Sequence, residues 1–395
     1  MAVYLNNAAT TWPKPEKVAD SMRNFLINGG ANSSRGTSSA RDMSTMNLIL
    51  DCRIKLAEFF NGYDNRNPLL VTFTANITES LNIVLRGFLK PGMSVLTSSM
   101  EHNAVMRPLR ALESKGVKLD ILQADSSGSL SPDDLINKLA NNVYDLAIFS
   151  HASNVSGTLQ DISSLADICR KYNLPLVIDS AQTAGIIDID AENLNLAALC
   201  FTGHKSLMGP QGTGGIIWNP DFAARVEPII TGGTGSYSHL EIQPEDLPDK
   251  FESGTPNLPG IAGLNAALDW LNETGINNIA AKERETGAYF LERLKNFSDV
   301  ILTGKSDMNN RLPVFAFNVK NIDNGILADE LSCAGFETRP GLHCAPIAHK
   351  TLGTFPQGAL RVSPGYFTSL DEIDAFFAAL ERHRNIFAAT NGSSY

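Results

Sequence analysis

One lysine stands out by its surroundings. Phe201-Thr202-Gly203-His204-Lys205-Ser206-Leu207-Met208-Gly209-Pro210-Gln211-Gly212-Thr213-Gly214-Gly215 places Lys205 beside a histidine, in a glycine-dense stretch that follows an apolar run. A lysine amine is a nucleophile toward carbonyl carbon, and glycine lets backbone approach a ligand closely. Taken alone, Lys205 reads first as a solvated turn lysine, and the glycine density around it is what favours a site. Upstream, Pro175-Leu176-Val177-Ile178-Asp179-Ser180-Ala181-Gln182 ends an apolar run on Asp179. That carboxylate either caps a helix or partners a ring N–H. In Phe73-Thr74-Ala75-Asn76-Ile77-Thr78-Glu79-Ser80 a strand passes into a helix, whose first N–H groups and the Thr78 hydroxyl suit a phosphate or form a plain cap. His102, in Met100-Glu101-His102-Asn103, is flat enough to stack on a ring. Asn154, in His151-Ala152-Ser153-Asn154-Val155-Ser156-Gly157-Thr158, can donate to an oxygen. Both also have ordinary structural roles.

The elements that must position these residues are short apolar runs at 69–73, 94–97, 118–122, 146–149, 176–178, 198–201 and 215–218, with helical patterns between several of them. One helix opens at Ser131-Pro132-Asp133-Asp134, with Leu135, Ile136 and Leu139 expected on one face. Such alternation predicts a mostly parallel sheet covered on both sides. All five sites fall just past strand ends, and open α/β sheets bind ligands along that edge. Together they point to pyridoxal phosphate, held as a Schiff base on Lys205 with Asp179 keeping the pyridine nitrogen protonated.

Residues 28–45, polar and rich in Gly and Ser, are expected as a loop. A helical pattern starts at Gly260, long helices lead to about Phe297, and 303–311 is a polar connection. Strands are expected at 313–319 and 359–362, and a capping box at Ser369-Leu370-Asp371-Glu372 opens a last helix carrying Ile373, Phe376, Phe377 and Leu380. The expected division is a large domain over 14–260, a smaller α+β domain from 1–13 and 261–388, and a disordered tail at 389–395.

The 395-residue chain has a formal net charge of −10, which disfavours nucleic acid as a partner. No apolar run reaches membrane-span length and the N-terminus lacks a signal-peptide pattern, so a cytoplasmic protein without a membrane partner is expected. The five cysteines, Cys52, Cys169, Cys200, Cys333 and Cys344, form no CxxC pair, and no metal site is expected. Cys169 and Cys200 read as core residues.

Across nearly its whole length, from Tyr4-Leu5-Asn6-Asn7-Ala8-Ala9-Thr10-Thr11 to Leu360-Arg361-Val362-Ser363, the chain resembles the class V aminotransferase family, in its cysteine desulfurase and selenocysteine lyase branch. The resemblance implies the pyridoxal-phosphate-dependent fold of type I, with a seven-stranded sheet in the large domain. It implies Lys205 as the Schiff-base lysine, Asp179 on the ring nitrogen, Gln182 on the ring oxygen, and His102 stacked on the ring with a catalytic part. It also implies Asn154 as a cofactor contact, and Thr78, Thr202 and His204 at the phosphate, with Ile77 where a threonine is common. Phe251-Glu252-Ser253-Gly254-Thr255-Pro256-Asn257 resembles the segment that serves the neighbouring subunit's phosphate, implying a homodimer with Thr255 in that role. Arg339-Pro340-Gly341-Leu342-His343-Cys344-Ala345-Pro346 resembles the catalytic-cysteine loop. By that likeness the Cys344 thiolate, favoured by His343, takes sulfur from the substrate as a persulfide. Arg361 resembles the carboxylate clamp, with Asn7 and His343 near the substrate. Asn6 stands where an aspartate is common.

The implied activity is a cysteine desulfurase that releases alanine from L-cysteine and passes sulfur to an acceptor protein. A selenocysteine lyase, another lyase or transaminase on this scaffold, and a non-catalytic binding scaffold are the alternatives.

Overall fold

The computed structural model describes residues 2–29 and 39–392, with 384–392 as backbone. Its strands are β1 (Val3–Tyr4), β2 (Val71–Thr74), β3 (Ser94–Ser98), β4 (Lys118–Leu122), β5 (Leu146–Ser150), β6 (Leu176–Asp179), β7 (Ala198–Thr202), β8 (Gly214–Trp218), β9 (Val300–Leu302), β10 (Phe315–Val319), β11 (Phe336–Glu337), β12 (Arg339–Gly341) and β13 (Ala359–Val362). Seven of them form one sheet in the order β2-β8-β7-β6-β5-β3-β4, in which only β8 runs against the rest. The expected seven runs are these seven strands.

Strand pleating explains why β5, β7 and β8 are buried at every residue. Ala147, Phe149, Ile178, Leu199 and Phe201 point into one core with helices Ala40–Phe59, Pro132–Asn141, Ile162–Lys171 and Leu258–Thr274. The alternate residues Leu146, Ile148, Val177, Ala198 and Cys200 point into a second core with helices Ile77–Phe88 and Asn103–Glu113. A sheet buried on both faces needs near-continuous apolar strands, which is why the runs were visible.

The smaller unit is a four-stranded antiparallel sheet, β12-β13-β10-β9, with β1 pairing β11 beside it. Its core joins Leu5, from the start of the chain, to Phe290, Phe315, Phe317, Leu331, Phe376 and Phe377. The last helix opens on the expected capping box: Ser369 Oγ accepts from the Glu372 N–H (3.2 Å) and the Glu372 carboxylate accepts from the Ser369 N–H (2.8 Å).

Four expectations need correction. The loop expected at 28–45 does not extend over the described residues at either end of that range. Phe25–Gly29 is a π-helical turn, and a helix begins at Ala40, because Ser39 caps it by accepting from the Asp42 N–H (3.1 Å); residues 30–38 lie outside the described residues. Leu69 sits in a 3-10 turn, Pro68–Leu70, and the strand starts at Val71. Ile136 is exposed while Leu135 and Leu139, one helical turn apart, are buried. The final helix, Leu370–Gly392, runs into the segment expected as tail; 393–395 lie outside the described residues. Among the described residues no helix is long and apolar enough to cross a membrane.

Candidate active site

Strands β2, β3, β5, β6 and β7 end on one edge of the large sheet. Asp179 is the last residue of β6, and Lys205 follows β7. Lys205 has Asp179, Arg361, Arg339 and Cys344 as electrostatic neighbours, and its Nζ has no hydrogen bond or ion pair among the described residues. Burial pushes its pKa down to about 8; the Asp179 charge works against this, while Arg361 and Arg339 work with it. Asp179 is buried, which raises its carboxyl, and the Ala181 N–H (2.9 Å) and the Lys205 charge oppose that rise. The Lys205 turn is held tightly: a Cβ on Gly185, at φ +102°, would lie 2.1 Å from the Ser206 carbonyl oxygen.

His102 caps helix Asn103–Glu113, its Nδ1 accepting from the Ala104 N–H at 3.0 Å. Burial, then the Lys205 charge, lowers its pKa to about 4. The ring is therefore neutral at pH 7, with its proton on Nε2. Gln182 Nε2 donates to the Ala8 carbonyl (3.1 Å). Thr202 Oγ1 contacts the Thr213 carbonyl (3.4 Å), and His204 Nδ1 is buried without a partner.

Ile77 is buried in the first turn of helix Ile77–Phe88, so its apolar side chain serves the core, while Thr78 is exposed. Thr255 is also exposed. It lines a cavity of about 520 Å³ together with Thr74, Ala75, Glu79, Gly212 and Thr213, beside that helix start.

The second half of the site comes from the smaller unit. Arg361, in β13, is 1% exposed; it donates to the Asn154 carbonyl (2.9 Å) and to Asn6 Oδ1 (2.9 Å), and its Nε has no partner. No carboxylate pairs with it among the described residues, so its charge is uncompensated, with Asn6 rather than an acid beside it. Burial and Arg339 lower its pKa to about 9, leaving it charged at pH 7. Asn7 is occupied structurally: Nδ2 donates to the Ser363 carbonyl (3.0 Å) and Oδ1 accepts from the Trp12 N–H (3.1 Å). Asn154 Nδ2 donates to the His343 carbonyl (2.7 Å), tying the large sheet to the Cys344 loop.

Cys344 is exposed, on the short loop after β12. His343 and Cys344 take left-handed backbone angles, φ 50° and 57°. Such strain costs roughly 1–3 kcal/mol per non-glycine residue and persists only where surrounding contacts impose it. The thiol's cationic neighbour is Arg339, with Nη2 3.8 Å from Sγ. His343 does not fill that place: its buried ring faces Arg339 O and His349, and burial lowers its pKa to about 2, so it is no cation to favour a thiolate.

Sequence reasoning gave no role to Arg339, His349 or Lys14. Arg339 lay within the quoted cysteine loop, and its pairing with Arg361 across β12 and β13 places it. Lys14 Nζ donates to the His204 carbonyl (2.7 Å) and Thr11 Oγ1 (2.5 Å), bracing the backbone beside Lys205; burial lowers its pKa to about 7. Its only sequence signal was a lysine between two prolines.

The class-V aminotransferase family matches residues 3–376. A probable cysteine desulfurase of Methanothermobacter thermautotrophicus is 30% identical, over 96% of this chain and 94% of that protein. A cysteine desulfurase of Haloferax volcanii is also 30% identical, over 98% of this chain and 90% of that protein. The apo structure of the cysteine desulfurase from Thermococcus onnurineus NA1 superposes with a TM-score of 0.89 at 27% identity, covering 97% of this chain and 95% of that one. With its motifs and fold matched over nearly the full length, the chain belongs to the class-V aminotransferase family of pyridoxal-phosphate-dependent enzymes.

Proposed function

We propose that this protein is a pyridoxal-phosphate-dependent cysteine desulfurase, acting as a homodimer that hands sulfur to an acceptor protein. The observation that carries the reading is the juxtaposition of an unpartnered lysine amine with an exposed cysteine that has a guanidinium beside its sulfur.

The residues present suit the cofactor. Lys205 Nζ is free to bond its carbonyl carbon, and Asp179 engages one oxygen with the Ala181 N–H, leaving the other for a ring N–H. The neutral His102 ring suits the ring face, Gln182 and Asn154 its oxygen, and His204 Nδ1, Thr202 and Thr78 the phosphate, with Thr255 serving the partner subunit. When bound, the cofactor supplies an electron sink for the substrate's α-carbon.

The chain's own groups do the rest. Arg361 holds the substrate carboxylate through its uncompensated charge. Lys205 Nζ, close to neutral pH in its pKa, takes the α-proton. Cys344 Sγ attacks the substrate sulfur: an S–S bond forms, the Cβ–S bond breaks, its electron pair stays with carbon, that carbon is protonated, and Lys205 returns the proton to the α-carbon to give alanine. Arg339 steadies negative charge on Sγ before attack. The exposed position of Cys344 then leaves the persulfide open to an acceptor.

The test is alanine and sulfide formation from L-cysteine with a reductant. Equimolar products are expected from the native protein, with losses on the order of 100-fold or more in Lys205→Ala and Cys344→Ala. No alanine from cofactor-loaded native protein sinks the cysteine reading and leaves selenocysteine and amino-group transfer as the substrates to try.

A further inference from the structure

Behind Cys344 lies a buried pair of histidines whose rings hydrogen-bond to each other, to Arg339 O and to Thr354 rather than to the thiol. His349 is 0% exposed and His343 is 3% exposed. Three contacts link them in a line: His343 Nε2 to the Arg339 carbonyl oxygen (3.0 Å), His343 Nδ1 to His349 Nε2 (3.1 Å), and His349 Nδ1 to Thr354 Oγ1 (2.6 Å).

The direction of the line follows from its end. A carbonyl oxygen only accepts, so His343 Nε2 carries a proton. In a neutral ring Nδ1 is then bare and must accept, so His349 Nε2 carries the next proton. His349 Nδ1 in turn accepts from the Thr354 hydroxyl. Burial favours neutral rings, lowering His349 to about 4 and His343 further. Every polar atom of both rings is thereby used once, with no proton in conflict.

The chain crosses the base of the strained loop. It starts in the turn after helix Pro346–Thr351, where the Thr354 and Phe355 N–H groups both donate to the His349 carbonyl (2.9 and 3.1 Å). It ends on Arg339, whose guanidinium meets Cys344 Sγ. Between those ends sit the two left-handed residues, and the Cys344 carbonyl accepts from the Asn103 N–H (2.8 Å) next to His102.

We propose that His349, with Thr354 behind it, is a positioning residue for Cys344: the directed chain through His343 to Arg339 holds the nucleophile loop in its left-handed shape and keeps thiol and guanidinium together. This rests on the desulfurase reading. It assigns His349 no contact with substrate or cofactor, so its loss acts on sulfur attack and not on binding.

The experiment compares the native protein with His349→Leu, His349→Gln and Thr354→Val, all cofactor-loaded, in alanine formation from L-cysteine. His349→Leu lowers kcat by roughly tenfold or more, as misplacing a reacting group does, with KM and the cofactor's visible spectrum unchanged. His349→Gln, whose amide donates to His343 Nδ1, recovers most of that loss. Thr354→Val, a milder change, lowers kcat about threefold, the effect of one neutral hydrogen bond, and covers the case in which His349→Leu does not fold. Hydrogen exchange at the Asn103 amide, read in the cofactor-free protein, speeds up in His349→Leu and returns toward native in His349→Gln.

Native kcat in both His349→Leu and Thr354→Val overturns the proposal, as does a glutamine variant no better than leucine, which marks mere packing. If the native protein itself makes no alanine, the desulfurase reading has failed, and the exchange comparison alone decides the loop's support.

Discussion

The two halves of the site are built on opposite principles. At the edge of the large sheet Asp179 ends a strand bonded on both sides, and the polar groups around it are buried with burial-shifted proton affinities. The Cys344 loop hangs beyond a three-residue strand, exposes its nucleophile, and holds two non-glycine residues in left-handed conformations. The first arrangement suits chemistry that must exclude water and fix charge in place. The second suits a group that meets the substrate on one side and an outside acceptor on the other. Rigidity comes from the sheet in one half and from a short hydrogen-bond chain in the other, so damage should spread differently in each.

The comparison can be broken most forcefully at Arg361, where the halves meet through Asn154 and Asn6. Arg361→Lys keeps one charge but loses the planar fork, and kcat/KM for cysteine is expected to fall roughly 10- to 100-fold, matching about 1.5–3 kcal/mol for charge-assisted hydrogen bonds. Cofactor absorbance should stay native; a native kcat/KM would remove Arg361 from substrate binding.

A smaller effect tests the dry edge. With the Lys205 pKa lowered to about 8, the reactive neutral amine is the minor form at pH 7 and the major form at pH 9. The rate at which cofactor-free protein captures pyridoxal phosphate should rise roughly tenfold between those values and level off above them, since one pH unit is a factor of ten while the charged form dominates. A rate still climbing steeply above pH 9 would mean that Lys205 is an ordinary solvated amine.

The smallest effect is on stability. Glu101 is fully buried between β3 and β5; it accepts from the Ser150 N–H (3.0 Å) and Oγ (2.7 Å), and burial raises its pKa to about 7. The folded state thus holds its proton more tightly than the unfolded chain, where the group titrates near 4.5. Its contribution is full below pH 4.5 and is lost as pH rises through about 7. Glu101→Gln, which keeps the bonds to Ser150 without the charge, should flatten the fall in Tm between about pH 4.5 and 7.5 by a few degrees. An unchanged slope would place the titration elsewhere.

What the sequence revealed divides along the same line. The large-sheet strands other than the edge strand β4 were legible because burial on both faces demands unbroken apolar runs, and Asp179, Lys205 and His102 drew notice because each sits just past such a run or at its end. The elements around Cys344 were not. Strands β11 and β12 have two and three residues, and β12 contains Pro340 and Gly341, so neither carries a periodic signal. The His343 ring was expected to serve the thiol as its neighbour in sequence, yet the left-handed turn carries that ring away and brings Arg339 in. Side-chain direction in a strained loop is set by tertiary contacts such as His343 to His349, which spacing alone does not reveal. Ile136 and the helix starting at Ala40 are milder cases, in which a polar sequence was read as loop and an apolar residue as core.

The central claim is that sulfur leaves the substrate by way of Cys344. The direct measurement is mass spectrometry of the Cys344-containing peptide after the cofactor-loaded protein meets L-cysteine without reductant. One added sulfur atom on Cys344, formed together with alanine and absent from Lys205→Ala, is the predicted result. Alanine formed with no sulfur on Cys344, and undiminished in Cys344→Ala, would contradict the account.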